Sequence, residues 1–328
     1  MRTFSHPGYK RFLLSVGCLL SIHFTALFFL TLFRLVFFFS ANYDFPDQEH
    51  VGFMSIWPAF IRGVWFDNVI ACYILLIPLV AVSISALFNY YGKILWNVTC
   101  IFFSLFYGIV LLVTAANIPY FQYFFKIINS SVFNWFGYMN TTAGMVFGET
   151  SYYPPLIGFL LTLVLFIWLM RRLIRHFQRL LNTKNPSVFW LDRIYIFLTA
   201  GICIGLCLFG IRGRTGYNPI KVSAAYYCTD PFLNQLGISP VFNLLSSTLD
   251  DSRKENRYLH LMPENEALEN TRHYLNRPGI EGISPIARQI NASDSLRRPN
   301  IVLIFMESMS AHLMKRFGQQ KELTPFLD

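Results

Sequence analysis

The side chain best placed for chemistry is a glutamate near the end of an apolar run. "NIVLIF" (residues 300–305) is continuous, β-branched and aromatic, and Glu307 follows one residue later. Such a run suits a strand buried on both faces of a parallel sheet. In open α/β sheets, ligands sit at the carboxyl ends of the strands. A carboxylate at that end is a candidate metal ligand. Oxygen donors suit Mg²⁺ or Mn²⁺, and catalytic Zn²⁺ also accepts glutamate. The competing reading is structural, with Glu307 receiving hydrogen bonds from the amides of the next helix. One ligand does not make a site.

Other chemically capable residues are dispersed. His23 falls near the middle of a long apolar run, and an ionisable group inside a membrane is a functional candidate. A neutral histidine bonded to a neighbouring helix is the simpler reading. Cys203 and Cys207 share a helix face near Gly201 and Gly205, which reads as close helix packing more readily than as metal binding. Lys126 and Glu149 lie in a long aromatic segment. They are candidate contacts for a lipid headgroup, or members of an interfacial belt. Arg212, Arg214 and Lys221 follow the last apolar run and can face phosphates at a membrane surface. Arg34, Arg62 and Asp67 lie near span ends and can reach headgroups by snorkelling.

The elements that must position these residues are mostly membrane spans. Of 328 residues, 54% are hydrophobic and only 14% charged, where a soluble domain carries about 25% charge. Five runs approach the length needed to cross about 30 Å of hydrocarbon: residues 12–33, 69–88, 94–118, 155–170 and 194–211. The first is too long for a cleaved leader and lacks a small-x-small cleavage pattern, so it reads as a signal anchor. Basic side chains set the orientation. With the N terminus inside, the inner segments hold ten: Arg2, Lys10, Arg11, Lys93, Arg171, Arg172, Arg175, Arg179, Lys184 and Arg193. The outer loops hold three: Arg34, Arg62 and Lys126. Five crossings then place everything after residue 211 outside the cytoplasm. The net charge of +9 is concentrated beside a span, as in a cytoplasmic loop, and this argues against a nucleic-acid partner. Cys228 alone among the cysteines lies beyond the spans, so no intramolecular disulfide is expected in the exported part.

After the fifth span, apolar residues mixed with Gly and Pro predict short surface-lying helices, not a sixth span. "MPENEALENTRHYLNR" predicts a helix, with Pro263 in its first turn and Glu264 and Glu266 at its positive end. The Pro- and Gly-rich stretch that follows reads as an extended linker. Beyond Glu307, Ser308 or Ser310 can cap a helix through "AHLMKRF", and Gly318 can end it. Thr324-Pro325 reads as the start of another helix.

"RPNIVLIFMESMSA", "ELTPFLD" and the "RG…NPI" pattern at Arg212, Gly213, Asn218, Pro219 and Ile220 follow this five-span layout. Together they resemble the lipoteichoic acid synthase-like branch of the alkaline phosphatase/sulfatase superfamily. The resemblance covers the whole chain in layout, but its specific residues are mainly the last 30. It implies an α-helical polytopic domain of five spans (1–211), an extracytoplasmic connector (212–298), and the truncated start of an α/β alkaline phosphatase-like domain (299–328). It implies that Glu307 helps hold a divalent cation, Mn²⁺ or Mg²⁺ or else Zn²⁺. It implies a multi-pass protein of a bacterial cell membrane that transfers phosphoglycerol, or a similar phosphate group, from a lipid such as phosphatidylglycerol. The acceptor would be an extracytoplasmic glycan or lipid.

The departure from the family is large. Its threonine nucleophile and its later Asp and His ligands have no counterpart in these 328 residues, and Thr324 belongs to a helix-start motif. The chain is therefore expected to be a fragment without turnover of its own. A membrane-bound sulfatase or phosphodiesterase, and an inert truncated anchor, are the competing readings.

Overall fold

The computed structural model describes residues 6–41, 53–181, 190–253, 261–275, 287, 300, 302–307 and 309–327. Five helices among them are long and apolar enough to cross a membrane. They are α1 (Pro7–Ser40), α2 (Phe53–Leu87), α3 (Lys93–Phe124), α5 (Tyr153–Leu181) and α6 (Trp190–Arg212); the short α4 (Met139–Gly148) lies between α3 and α5. A 34-residue helix such as α1 rises about 51 Å, so its ends project beyond a hydrocarbon core of about 30 Å.

The five spans expected from hydropathy are present, with longer bounds. The largest extension is in α2, which starts well before residue 69. The residues that hide it are Pro58, Arg62 and Asp67. They lower the local hydropathy, yet Asp67 is paired with Arg34 inside the fold. Local signals mark several ends. Pro7 opens α1, where its missing N–H is no loss. Asp192 lies in the first turn of α6 and Arg212 in its last, each complementing the helix dipole.

In lipid, helix association rests on close packing, because the tails are as apolar as the side chains. α1 packs along α2 and α5, α2 along α6, and α3 along α5. Aromatic side chains fill the contacts. Phe166 of α5 meets Phe29 of α1 and Tyr107 of α3 edge-on, at 6.1 and 5.3 Å between ring centres. At the end of the bundle where α1 begins, Arg11 donates from Nε and Nη2 to the Leu181 carbonyl at 3.2 and 2.8 Å, satisfying the end of α5. His6 Nδ1 lies 2.8 Å from Asp192 Oδ1 and ties α1 to α6.

At the opposite end, hereafter the connector side, the short elements predicted after the fifth span do form. They are a 3₁₀ turn (Val222–Ala225), α7 (Pro231–Leu236) and α8 (Pro240–Ser252). They and the residues that join them bury Ile220, Ala225, Phe232, Leu233, Leu236 and Ile238. The aromatic segment between α3 and α5 folds as a 3₁₀ helix (Ser130–Tyr138) and α4, with Phe136, Tyr138 and Phe147 exposed. Polar bonds join it to the connector: Asn243 Nδ2 donates to the Ile128 carbonyl at 2.9 Å, and Gln235 Oε1 accepts from the Ile127 amide at 3.1 Å.

Residues 260–328 form a second compact unit. The helix expected around 263–275 forms as α9 (Glu264–Leu275). The strand expected over residues 300–305 is not seen among those described: residues 302–306 are irregular, and Val302, Leu303, Ile304 and Phe305 are 74–89% exposed. No strand occurs among the described residues. The reason is physical. A strand of this composition is stable when neighbours pair its edges and layers cover its faces. The helix expected over 311–317 is likewise reduced to two 3₁₀ turns, Ala311–Leu313 and Lys315–Phe317. Its end signals hold, since Ser310 accepts from the His312 amide and Gly318 takes φ +101°. Thr324-Pro325 opens a turn, not a helix. Most of the extended linker lies outside the described residues.

Candidate functional site

The structure corrects the expectation that Arg34 and Asp67 reach lipid headgroups. Both are buried, at 5% and 2% exposure, and Arg34 Nη2 donates to Asp67 Oδ2 at 2.6 Å. Arg34 Nη1 donates to the carbonyls of Leu236 and Ile238, the latter at 3.1 Å. Those carbonyls lie at and just beyond the end of α7, where helix geometry leaves acceptors unsatisfied. One guanidinium therefore joins α1, α2 and the connector. Gly63 makes this possible, because a Cβ there would overlap the Arg34 guanidinium. Arg62 is drawn the same way. Its guanidinium stacks 4.5 Å from the Tyr227 ring centre, and its Nε donates to the Ala224 carbonyl at 3.3 Å. The Tyr227 hydroxyl donates to the Ser55 carbonyl at 2.6 Å, and burial, aided by Cys228, raises its pKa.

The "RG…NPI" segment forms a closed loop after α6. Gly213 adopts φ +73°, and a Cβ there would lie 2.7 Å from the Ile220 side chain. The Ile220 amide donates to the Arg212 carbonyl at 3.0 Å. Arg212 Nη2 donates to the carbonyls of Gly216 and Tyr217, and Arg214 Nε to that of Asn218. Trp65 Nε1 of α2 donates to the Gly213 carbonyl and pins the loop to the bundle.

Below this loop, α1, α2 and α6 enclose a half-open cleft of about 470 Å³. His23, Asn68, Cys72, Cys203 and Cys207 contribute its polar atoms. His23 takes the interhelical role weighed for it: its Nε2 lies 3.0 Å from Asn68 Oδ1, while Nδ1 makes no hydrogen bond. Cys207 Sγ donates to the Cys72 carbonyl at 3.3 Å, but Gly201 and Gly205 are exposed with open space around them; the close approach of α6 to α2 is at Gly210, where a Cβ would lie 2.5 Å from Cys72 Sγ. Asn68 and Trp65 were missed from sequence. The available signal was a polar residue inside an apolar helix, one turn from an aromatic one.

Glu307 is an exposed turn residue of the second unit. No three His, Cys, Asp or Glu side chains among the described residues come close enough to hold a metal ion. A single exposed carboxylate does not fit a divalent-cation site by itself. Lys126 and Glu149 are exposed at the two ends of the aromatic segment. No family model, curated protein or solved structure matches the chain.

Proposed function

We propose that this chain is the membrane anchor and connector of an envelope enzyme that transfers phosphoglycerol, or a similar phosphate group, from a lipid donor to a glycan or lipid acceptor outside the cytoplasm. One observation carries this reading: Arg34 and Asp67 fasten the polypeptide after α6 to the bundle. A domain that follows this connector would be tethered to the membrane whose lipids would supply its substrate. The excess of basic residues in the inner segments supports the outward orientation. The resemblance of "RPNIVLIFMES" supports a place for Glu307 at the reaction centre. On this reading the nucleophile and the other cation ligands are not among these residues.

The test uses membranes from cells expressing the gene's whole reading frame. Release of diacylglycerol from a fluorescent phosphatidylglycerol should require Mn²⁺ or Mg²⁺ and should disappear with Glu307→Ala. A periplasmic-type reporter fused after Leu249 should be active. Activity unchanged by Glu307→Ala, or a Leu249 fusion lying in the cytosol, would remove this reading.

A further inference from the structure

Three thiols lie along the seam between α2 and α6: Cys72, Cys203 and Cys207. Two of them meet. Cys72 and Cys207 are buried, at 6% and 5% exposure, and their thiol groups interact directly. Cys207 Sγ also reaches the Cys72 carbonyl. The helices are close enough here for a covalent link. A Cβ on Gly210 would lie 3.5 Å from Cys72 Cβ, and linked cysteines hold their Cβ atoms about 3.5–4.5 Å apart. Cys207 lies one turn from Gly210 on the same face of α6. The Cys72 sulfur points to Asn68 Oδ1, 3.8 Å away; rotation about χ1 turns it towards Cys207. Cys203 and Cys207 cannot be the linked pair. Four residues apart on one helix, their Cβ atoms are separated by about 5–6 Å, beyond disulfide range.

The chemistry has a base and a route. A thiol reacts as its thiolate, so its proton needs an acceptor. Asn68 Oδ1 can only accept, so His23 Nε2 carries the ring proton and donates to it at 3.0 Å. His23 Nδ1 is then a bare lone pair, buried without a hydrogen-bond partner and lining the same cleft as the thiols. Beside that cleft, Phe24, Leu206 and Phe209 are 51–65% exposed, so a reagent dissolved in hydrocarbon can approach from the side.

The link would act on a lightly held helix. Within the most apolar stretch of α6, 17% is buried. The thiol crossing and the Trp65 bond to Gly213 tie it to α2. A covalent bond at the crossing would fix α6 just below the loop that leads into the connector.

We propose that Cys72 and Cys207 are oxidised to a disulfide that locks α6 onto α2, with a bilayer-soluble quinone as oxidant and His23 as the base that takes the first thiol proton. Two S–H bonds break and one S–S bond forms. Both electrons and both protons pass to the quinone, which leaves as the quinol. The lock needs neither Glu307 nor a catalytic domain, so it stands apart from the transferase reading.

The experiment uses the 328-residue protein in phosphatidylcholine nanodiscs, without oxygen, treated with tetramethyl-1,4-benzoquinone, whose filled ring does not add thiols. Thiols are counted by maleimide labelling after unfolding, and the link is located by peptide mapping without reductant. The reduced protein has six thiols; quinone should remove two and join the peptides bearing Cys72 and Cys207, and dithiothreitol should restore both. Cys72→Ala or Cys207→Ala should keep every remaining thiol, whereas Cys203→Ala should still lose two. The map of the unaltered protein decides the linkage if an alanine variant does not fold. His23→Gln should slow the loss roughly tenfold or more without changing the linked peptides. The oxidised protein should unfold about 5 °C or more above the reduced one. Six thiols retained under quinone, a link through Cys203 or between two chains, an unchanged rate in His23→Gln, or equal unfolding temperatures would each overturn the proposal.

Discussion

Arg34→Met is the most informative perturbation of this protein. It strands the Asp67 carboxylate, which is 2% exposed, and it leaves the Leu236 and Ile238 carbonyls without their donor. Removing one partner of a buried pair costs about 3–5 kcal/mol, chiefly through the uncompensated charge, so about a thousandfold loss in the docked or folded population is expected. Adding Asp67→Leu removes the stranded charge. The double variant should recover part of the loss, though not all, because the two carbonyls remain unsatisfied. The assay is limited proteolysis in mild detergent alongside reversible unfolding in a denaturing detergent. In the unaltered protein, the segment around Gly237 should resist cleavage. In Arg34→Met it should be cut early, with the spans still intact. A variant connector as protected as the original, or a double variant no better than the single one, would refute the assignment of this ion pair as the clamp.

Gly63→Ala should weaken the same clamp without touching a charge, by about 1–3 kcal/mol, because the new methyl group displaces the guanidinium; the same proteolysis reads it. Gly213→Ala should loosen the loop after α6 by about 1–2 kcal/mol through its left-handed backbone, and the Trp65 emission should shift as its bond to the Gly213 carbonyl is lost. Tyr91, between α2 and α3, has a hydroxyl that is buried without a partner. Burial pushes its pKa up to about 12 against the opposing charge of Arg11. The unfolded chain ionises this group near pH 10, so its contribution to stability is fully present below pH 10 and is lost as the pH rises towards 12. Tyr91→Phe should flatten that loss in an alkaline unfolding series and be neutral or about 1 kcal/mol stabilising at pH 7, since no hydrogen bond is removed.

The five spans were legible in the sequence because each is a local property. A run of apolar residues long enough to cross hydrocarbon satisfies its own backbone bonds wherever its neighbours lie. The helix after Met262 was legible for the same reason, through Pro263 and its leading acids, as were the N-cap at Ser310 and the left-handed Gly318. The strand before Glu307 was not decided locally. Its residues have the right types, but a strand draws its stability from partners that the described residues do not contain. The roles of Arg34, Asp67 and Arg62 were also beyond sequence. Near span ends, basic and acidic side chains have two options of similar free energy, the headgroup layer or a buried partner. Only the meeting of α1, α2 and α7, at a point where Gly63 leaves room, selects the second. The cleft beneath Trp65 is tertiary in the same sense: His23, Asn68 and Gly213 belong to three separate helices or loops, and packing alone brings them to one site.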